Sequence, residues 1–372
     1  MFQLTILILA VGFLVYQLCT LYKSNKQNSI NPILQNITAI DSKFQWQNQT
    51  PLKIRPFVGK TNFNPSMGIK KISHIPNEWL LIEDTYLKCT SLKQQSLNSN
   101  PNQTMYICND PSSINALKEF YDLVFEFYIK RYPQYFIYNK SLNEVTNAIN
   151  GFKFKLNTKH LTPKQMLINL GSNMEEDFIL MLKPQDSKNK SEEEYILKST
   201  IVGFPAGFDA SELFNKPISF IHNPVPQYTQ RLKPSMNKFF NNLSKKDLWI
   251  RFNWSIQTHS NYFTLSNHGR IGDKPPEKLK RNEIDFKNGC FLRCERQILF
   301  RLPKSNAIIM TTRTYLTSLF QIKKEGLSKD LIFGIRSLPD DLAFYKKRHV
   351  WDDAVIEYLS REEDKEEQLE KP

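Results

Sequence analysis

Apolar positions recur along this 372-residue chain with three kinds of spacing. The first is an unbroken run. Phe2 to Tyr22, FQLTILILAVGFLVYQLCTLY, carries no charge and is long enough at helical rise to cross a bilayer. The second is helical. From about 112 to 131, Leu117, Tyr121, Val124 and Tyr128 fall on one stripe, with Asp110 placed to cap, Pro111 in the first turn and Pro133 as a stop. A shorter helix is predicted over 234–243, with Met236, Phe239 and Phe240 facing the core. The third spacing alternates. It predicts strands at 195–202, 247–257, 291–302 and 306–313, the last two joined as a hairpin through Pro303-Lys304-Ser305. Helices followed by a strand-rich second half predict an α+β domain with an antiparallel sheet.

Two of these strands have unusual second faces. In 291–302, Leu292, Cys294, Ile298, Phe300 and Leu302 share a face with Arg296, and the opposite face holds Phe291, Arg293, Glu295, Gln297, Leu299 and Arg301, with Arg293, Glu295 and Gln297 as a polar row. In 248–257, Leu248, Ile250, Phe252, Trp254 and Ile256 are backed by Trp249, Arg251, Asn253, Ser255 and Gln257. Such rows either face solvent, as on any amphipathic strand, or line a cavity where Arg would offer paired donors to a carboxylate.

The chain divides into an apolar anchor (1–22), a polar tether (23–50), one domain (51–360) and a charged tail (361–372). The stretches 184–194 and 266–283 read as loops inserted within that domain. Lys23 and Lys26 follow the apolar run and no Lys or Arg precedes it, which predicts an uncleaved anchor with the domain on the cytosolic side, in a membrane the sequence does not identify. A cleaved signal peptide is the rival, but neither a basic leader nor a small-residue cleavage site is present. Seven Asn-x-Ser/Thr sequons, at Asn36, Asn48, Asn102, Asn139, Asn189, Asn242 and Asn253, would be glycosylated if the domain were lumenal.

Net charge is +13, but the basic residues are scattered and no nucleic-acid-binding motif accompanies them, so a solvated basic surface is expected and no nucleic-acid partner. Lys346-Lys347-Arg348 reads as part of that surface. Five irregularly spaced cysteines predict no disulfide framework. GxGxxG, Walker A, GxSxG and HExxH patterns are absent, and the acidic runs, Glu175-Glu176-Asp177 among them, read as surface charge. His222 stands out in 219-SFIHNPVPQY-228, where two prolines stiffen the backbone beyond it. It is either a satisfied core histidine or a metal ligand. His259 and His268 are expected to be solvent-exposed.

These blocks bear a resemblance. The segments 64-NPSMGI-69, 78-EWLLIEDTYL-87, 131-RYPQYF-136, 175-EEDFILM-181, 203-GFPAGFDASELFNKPISFIHNPVP-226, 251-RFNW-254, 292-LRCERQILFRLPKSNAIIMTTRTYL-316 and 344-FYKKRHVWDDAVIEYL-359 resemble the haem-dependent oxidative N-demethylase alpha-subunit-like family, in the family's order, from about Pro51 to Leu359.

The resemblance implies a PAS-like α+β fold, an antiparallel sheet with flanking helices. It implies haem b, O2 as co-substrate, oxidation of a methyl group on an amine to release formaldehyde, and electrons from NADPH through a separate flavin and iron–sulfur reductase. No reductase motif lies in this chain, so that reductase would be a partner. Carried onto this sequence, His222 becomes the axial ligand. Glu295 would handle a proton or hold the amine cation, and Arg251 would face bound oxygen or a haem propionate. Arg293, Arg296 and Arg313 would pair with propionates or brace Glu295, or else form an internal ion-pair network. The block before the histidine departs from the family, with Phe208 where relatives tend to have Trp, and the anchor is absent from bacterial relatives. A non-enzymatic haem or ligand sensor shares the same fold and pocket. A lumenal type II glycosyltransferase is a third reading, resting on the anchor and the sequons.

Overall fold

The computed structural model describes residues 31–59, 66–184, 194–265, 268–269 and 277–361. The apolar run 2–22, most of the two predicted loops and the charged tail lie outside them. No helix among the described residues is long and apolar enough to cross a membrane.

The helix Pro111–Arg131 forms as its spacing predicts. Asp110 accepts the Ser113 amide at 2.8 Å, satisfying one of the free N–H groups of the first turn, and Leu117, Tyr121, Val124 and Tyr128 are fully buried. The polar stretch before Pro51 packs onto the body from Asn31 onward: Ile33, Leu34 and Ile37 join the core around this helix.

Among the described residues, ten strands form two antiparallel sheets: β1 (Lys70–Lys71), β2 (Met105–Ile107), β3 (Phe136–Asn139), β4 (Glu144–Asn147), β5 (Lys153–Lys155), β6 (Asp177–Leu182), β7 (Ile196–Ile201), β8 (Trp249–Gln257), β9 (Phe291–Arg301) and β10 (Ile308–Ser318). The large sheet has the order β1-β8-β9-β10-β6-β7-β2, and β3-β4-β5 form a small one. The α+β expectation holds. The β9–β10 hairpin turns at Pro303-Lys304-Ser305, where the Glu119 carboxylate accepts the amides of Lys304 and Ser305, both at 2.7 Å. β10 runs to Ser318, past the predicted 313, because it pairs with β9 along its whole length.

One face of the large sheet is the main core. Leu180, Ile250, Ile298, Phe300 and Ile309 pack against the helix Pro111–Arg131. Phe300 meets Trp79 edge-on at 5.0 Å, and a core phenylalanine of this kind is worth about 3–5 kcal/mol against alanine. Further along, Ile256, Leu292, Cys294 and Tyr315 pack against the helices Ser328–Arg336 and Arg348–Ser360. The other face is apolar only at one end, where Met181, Leu299 and Ile308 are covered by Ile218, Tyr228, Met236 and Phe240. The predicted helix at 234–243 is there, spanning Lys233–Asn242. Beyond that cover the face becomes polar.

Candidate functional site

Register brings the two polar rows side by side. Arg251 lies opposite Gln297, Asn253 opposite Glu295 and Ser255 opposite Arg293. Glu295 Oε2 accepts from the Gln297 amide at 3.0 Å and from the Asn253 amide at 3.4 Å, while Arg293 Nε lies 3.8 Å from Oε1. Arg251 is half-buried. Its Nε is shielded from water and has no hydrogen-bond partner among the described residues. A charged donor left in that state marks a place for an anionic acceptor.

His222 ends the five-residue helix Ile218–His222, which starts after Pro217. Its Nδ1 lies 3.0 Å from the Ile218 carbonyl oxygen. A carbonyl can only accept, so Nδ1 carries the proton and Nε2 keeps its lone pair. The chain then passes through Pro224 and Pro226, takes a left-handed turn at Gln227 (φ 60°), and enters a π-helical turn, Tyr228–Leu232. This irregular path lays the Tyr228 ring on the imidazole, with centroids 5.0 Å apart and planes 17° apart. Burial holds the His222 pKa below its ordinary value. The Ile218 hydrogen bond opposes that shift, and the Arg251 charge adds to it. His222 and Arg251 are therefore electrostatic neighbours over one sheet face.

Two loops wall the site. The Asp177 carboxylate accepts the amides of Gly203 (2.9 Å) and Phe204 (2.8 Å), and the Phe204 carbonyl accepts from Arg293 Nη2 at 2.7 Å. Gly207 donates to the Thr264 carbonyl at 2.7 Å. Arg293 Nη1 reaches the Tyr262 carbonyl and Gln257, both at 3.2 Å. Arg293 therefore pins both loops to the sheet.

The structure separates the remaining predicted arginines from this group. Arg296 and Arg313 face each other across β9 and β10, on the core face. Arg296 donates to the carbonyls of Glu78 and Trp79. Arg313 is enclosed by Glu83 (2.7 Å), Glu175 (2.5 Å) and Glu176 (3.4 Å). Glu175, Glu176 and Asp177, expected at the surface, are buried, as is Glu83. The reason is long-range pairing: a guanidinium in the core needs carboxylates around it.

His268, expected to be exposed, is half-buried and stacks on Tyr345 at 4.3 Å. Burial, reinforced by the Lys346 charge, lowers its pKa to about 3. Lys346 departs from the expected surface run. Its Nζ donates to the Asn253 side-chain oxygen at 3.3 Å and to the Trp254 carbonyl. Burial lowers its pKa to about 8, although Glu295 opposes that shift. Sequence reasoning missed Lys346, Tyr345 and His268, which come from loop and helix-end positions without periodicity.

A single imidazole with its Nε2 lone pair free fits an axial ligand to iron already held by a macrocycle. Among the described residues no three His, Cys, Asp or Glu side chains converge as a cage for a bare ion. The shielded Arg251 Nε fits a propionate carboxylate. Two clefts lie elsewhere: one of about 480 Å³ beside Arg336 and Arg348, and one of about 570 Å³ beside Asn31 and Glu119.

Residues 68–356 match the family described as haem-dependent oxidative N-demethylase, alpha subunit-like. The chain belongs to this family. The match spans the strap at 203–207, His222, both polar rows and Lys346, so every element of the site lies inside it. A haem-dependent oxidoreductase is therefore the functional class to which the site must be fitted.

Proposed function

We propose that this protein is a haem-dependent monooxygenase acting on a methylated amine. His222 would be the axial ligand through Nε2, and Arg251 the contact for a carboxylate. The observation that carries the reading is the His222 arrangement: Nδ1 fixed by the Ile218 carbonyl, the ring held on Tyr228, and a cationic neighbour with a shielded, unpartnered donor. An imidazole whose second nitrogen is tied to a carbonyl has its tautomer and orientation set before a metal arrives.

Haem, when bound, supplies oxygen activation. In the overall reaction one oxygen atom enters a methyl C–H bond, and the other leaves as water with two electrons and two protons. The carbinolamine C–N bond then breaks to give amine and formaldehyde. Glu295 would hold the amine or take a proton, a role supported by Asn253 and Gln297, which orient its Oε2. Arg293 positions the walls through Phe204 and Tyr262. The electrons would come from NADPH through a separate flavin and iron–sulfur reductase. The antiparallel sheet with flanking helices supports the PAS-like grouping. The uncharged run 2–22, followed by Lys23 and Lys26, supports a single membrane anchor with the domain in the cytosol.

The deciding experiment is an absorption spectrum of the purified full chain after haem addition, for wild type and His222→Ala, combined with formaldehyde release from methylated amines. A Soret band in wild type that is lost or shifted in His222→Ala, with formaldehyde produced, is the expected result. No band in wild type, or an identical band in the variant, overturns the assignment.

A further inference from the structure

We propose that the amine oxidised here carries its own carboxylate, which Arg251 and Lys346 hold while Glu295 faces the ammonium group. The inference rests on the reading above and names its substrate class. The carboxylate comes from charge balance. Arg251 and Lys346 both bear on Glu295, and the Arg251 charge disfavours that of Lys346. Among the described residues Glu295 is the one carboxylate that bears on both, and it already accepts two amide hydrogen bonds. Arg293, the third cation on this face, is occupied by two backbone carbonyls and two side chains. The site therefore has one positive charge in excess, even with Arg293 set aside.

The donors are also incompletely used. Arg251 Nε is shielded and unpartnered. The Lys346 ammonium has three N–H bonds, and two of them go to neutral oxygens, on Asn253 and Trp254. A bare dialkylammonium brings a further positive charge to this face and offers nothing to either donor, so it binds more weakly than a ligand of both signs. A zwitterionic N-methyl amino acid matches both signs. Its carboxylate takes the free donors of Arg251 and Lys346, and its ammonium meets Glu295. Asn253 holds the spacing, because its amide donates to Glu295 and its oxygen accepts from Lys346.

A carboxylate for these donors has two sources, the substrate or the haem propionates, and the test separates them. Calorimetric titration of the full chain, haem-free and haem-loaded, compares N-methylglycine, dimethylamine and acetate. The expected result is that N-methylglycine binds more tightly than dimethylamine by at least about tenfold, the factor that one charge-assisted hydrogen bond supplies, and does so in both forms. Lys346→Met should remove that preference, weakening N-methylglycine while dimethylamine binds as tightly or more tightly, and Lys346→Arg should keep it, with thermal melts verifying that both variants fold. Equal binding of the two amines, a preference that survives Lys346→Met, or a preference lost on haem loading each overturns the proposal. The last outcome assigns the cations to the propionates. Because the haem-free arm needs neither haem nor turnover, failure of this inference and failure of the haem assignment are read separately.

Discussion

Asn253 and Glu295 face each other across β8 and β9, and the amide of the first donates to the carboxylate of the second at 3.4 Å. The same amide's oxygen accepts from Lys346 at 3.3 Å. One neutral side chain thus sets the positions of an acid and an amine that arrive from distant parts of the chain. Asn253→Leu keeps the volume and removes both contacts. It should lower kcat/KM for formaldehyde release by about tenfold or more, the scale of a lost hydrogen bond to a charged group. Because Asn253 is only half-buried, the melting temperature should stay within a few degrees of wild type. Steady-state kinetics beside a thermal melt checks both halves.

The buried cluster on the other sheet face should govern pH stability. Burial, only partly offset by Arg313, raises the Glu175 pKa to about 7. A carboxyl whose folded pKa lies above its unfolded value contributes stability that is fully present below pH about 4.5 and is lost as pH rises through about 7. Glu175→Gln removes that contribution. Its unfolding free energy should therefore fall less than that of wild type between pH 5 and 8, by roughly 2–3 kcal/mol at one pKa unit per 1.4 kcal/mol. Arg313→Met should instead destabilise most at neutral pH and above, by about 3–5 kcal/mol, because it strands buried ionised carboxylates, and less in acid. Urea titrations at several pH values distinguish the two.

How much of this was legible follows from the range of each interaction. The Pro111–Arg131 helix and the β9–β10 hairpin are set by local spacing, caps and a turn, and they appear where the pattern puts them. Strand parity also placed Arg293, Glu295 and Gln297 together and put Arg296 with the apolar residues. Alternation alone did not say that Arg313 would join Arg296, because that depends on cross-strand register. Nor did it reveal the Glu175-Glu176-Asp177 run as core, since Arg313 lies 138 residues from Glu175. Lys346 was hidden in a basic run. Its direction is decided by the end of the helix Asp340–Tyr345 and by the left-handed Lys347 (φ 53°) that follows.

His268 should make the protein acid-sensitive. Its folded pKa of about 3 lies below the ordinary 6.5 because burial, joined by the Lys346 charge, disfavours the imidazolium. The sign is opposite to that of Glu175. The stability is present above pH 6.5 and is lost as pH falls towards 3, because the unfolded chain takes up the proton first. His268→Phe keeps a ring against Tyr345 and cannot titrate. Between pH 7 and 4.5 the variant should lose on the order of 2 kcal/mol less stability than wild type. A matching pH dependence in the two proteins would show that His268 titrates normally.

Gly207 holds the wall beside that histidine, and two effects forbid a side chain there. Its φ is +88°, and a Cβ would lie 2.5 Å from His268 Nδ1 and 2.8 Å from the His268 amide nitrogen. Gly326 provides the control. Its φ is +73°, with nothing within 4 Å of the corresponding Cβ position. Gly326→Ala therefore reports backbone strain alone, about 1–2 kcal/mol. Gly207→Ala must add displacement of His268, because the closest contacts include its main-chain nitrogen, which cannot rotate away. It should cost about 1–3 kcal/mol more than Gly326→Ala, the range for overpacking. It should also weaken haem retention, which Gly326→Ala leaves unchanged. Paired melts and haem titrations test this, and equal effects of the two substitutions would remove Gly207 from any role in shaping the site.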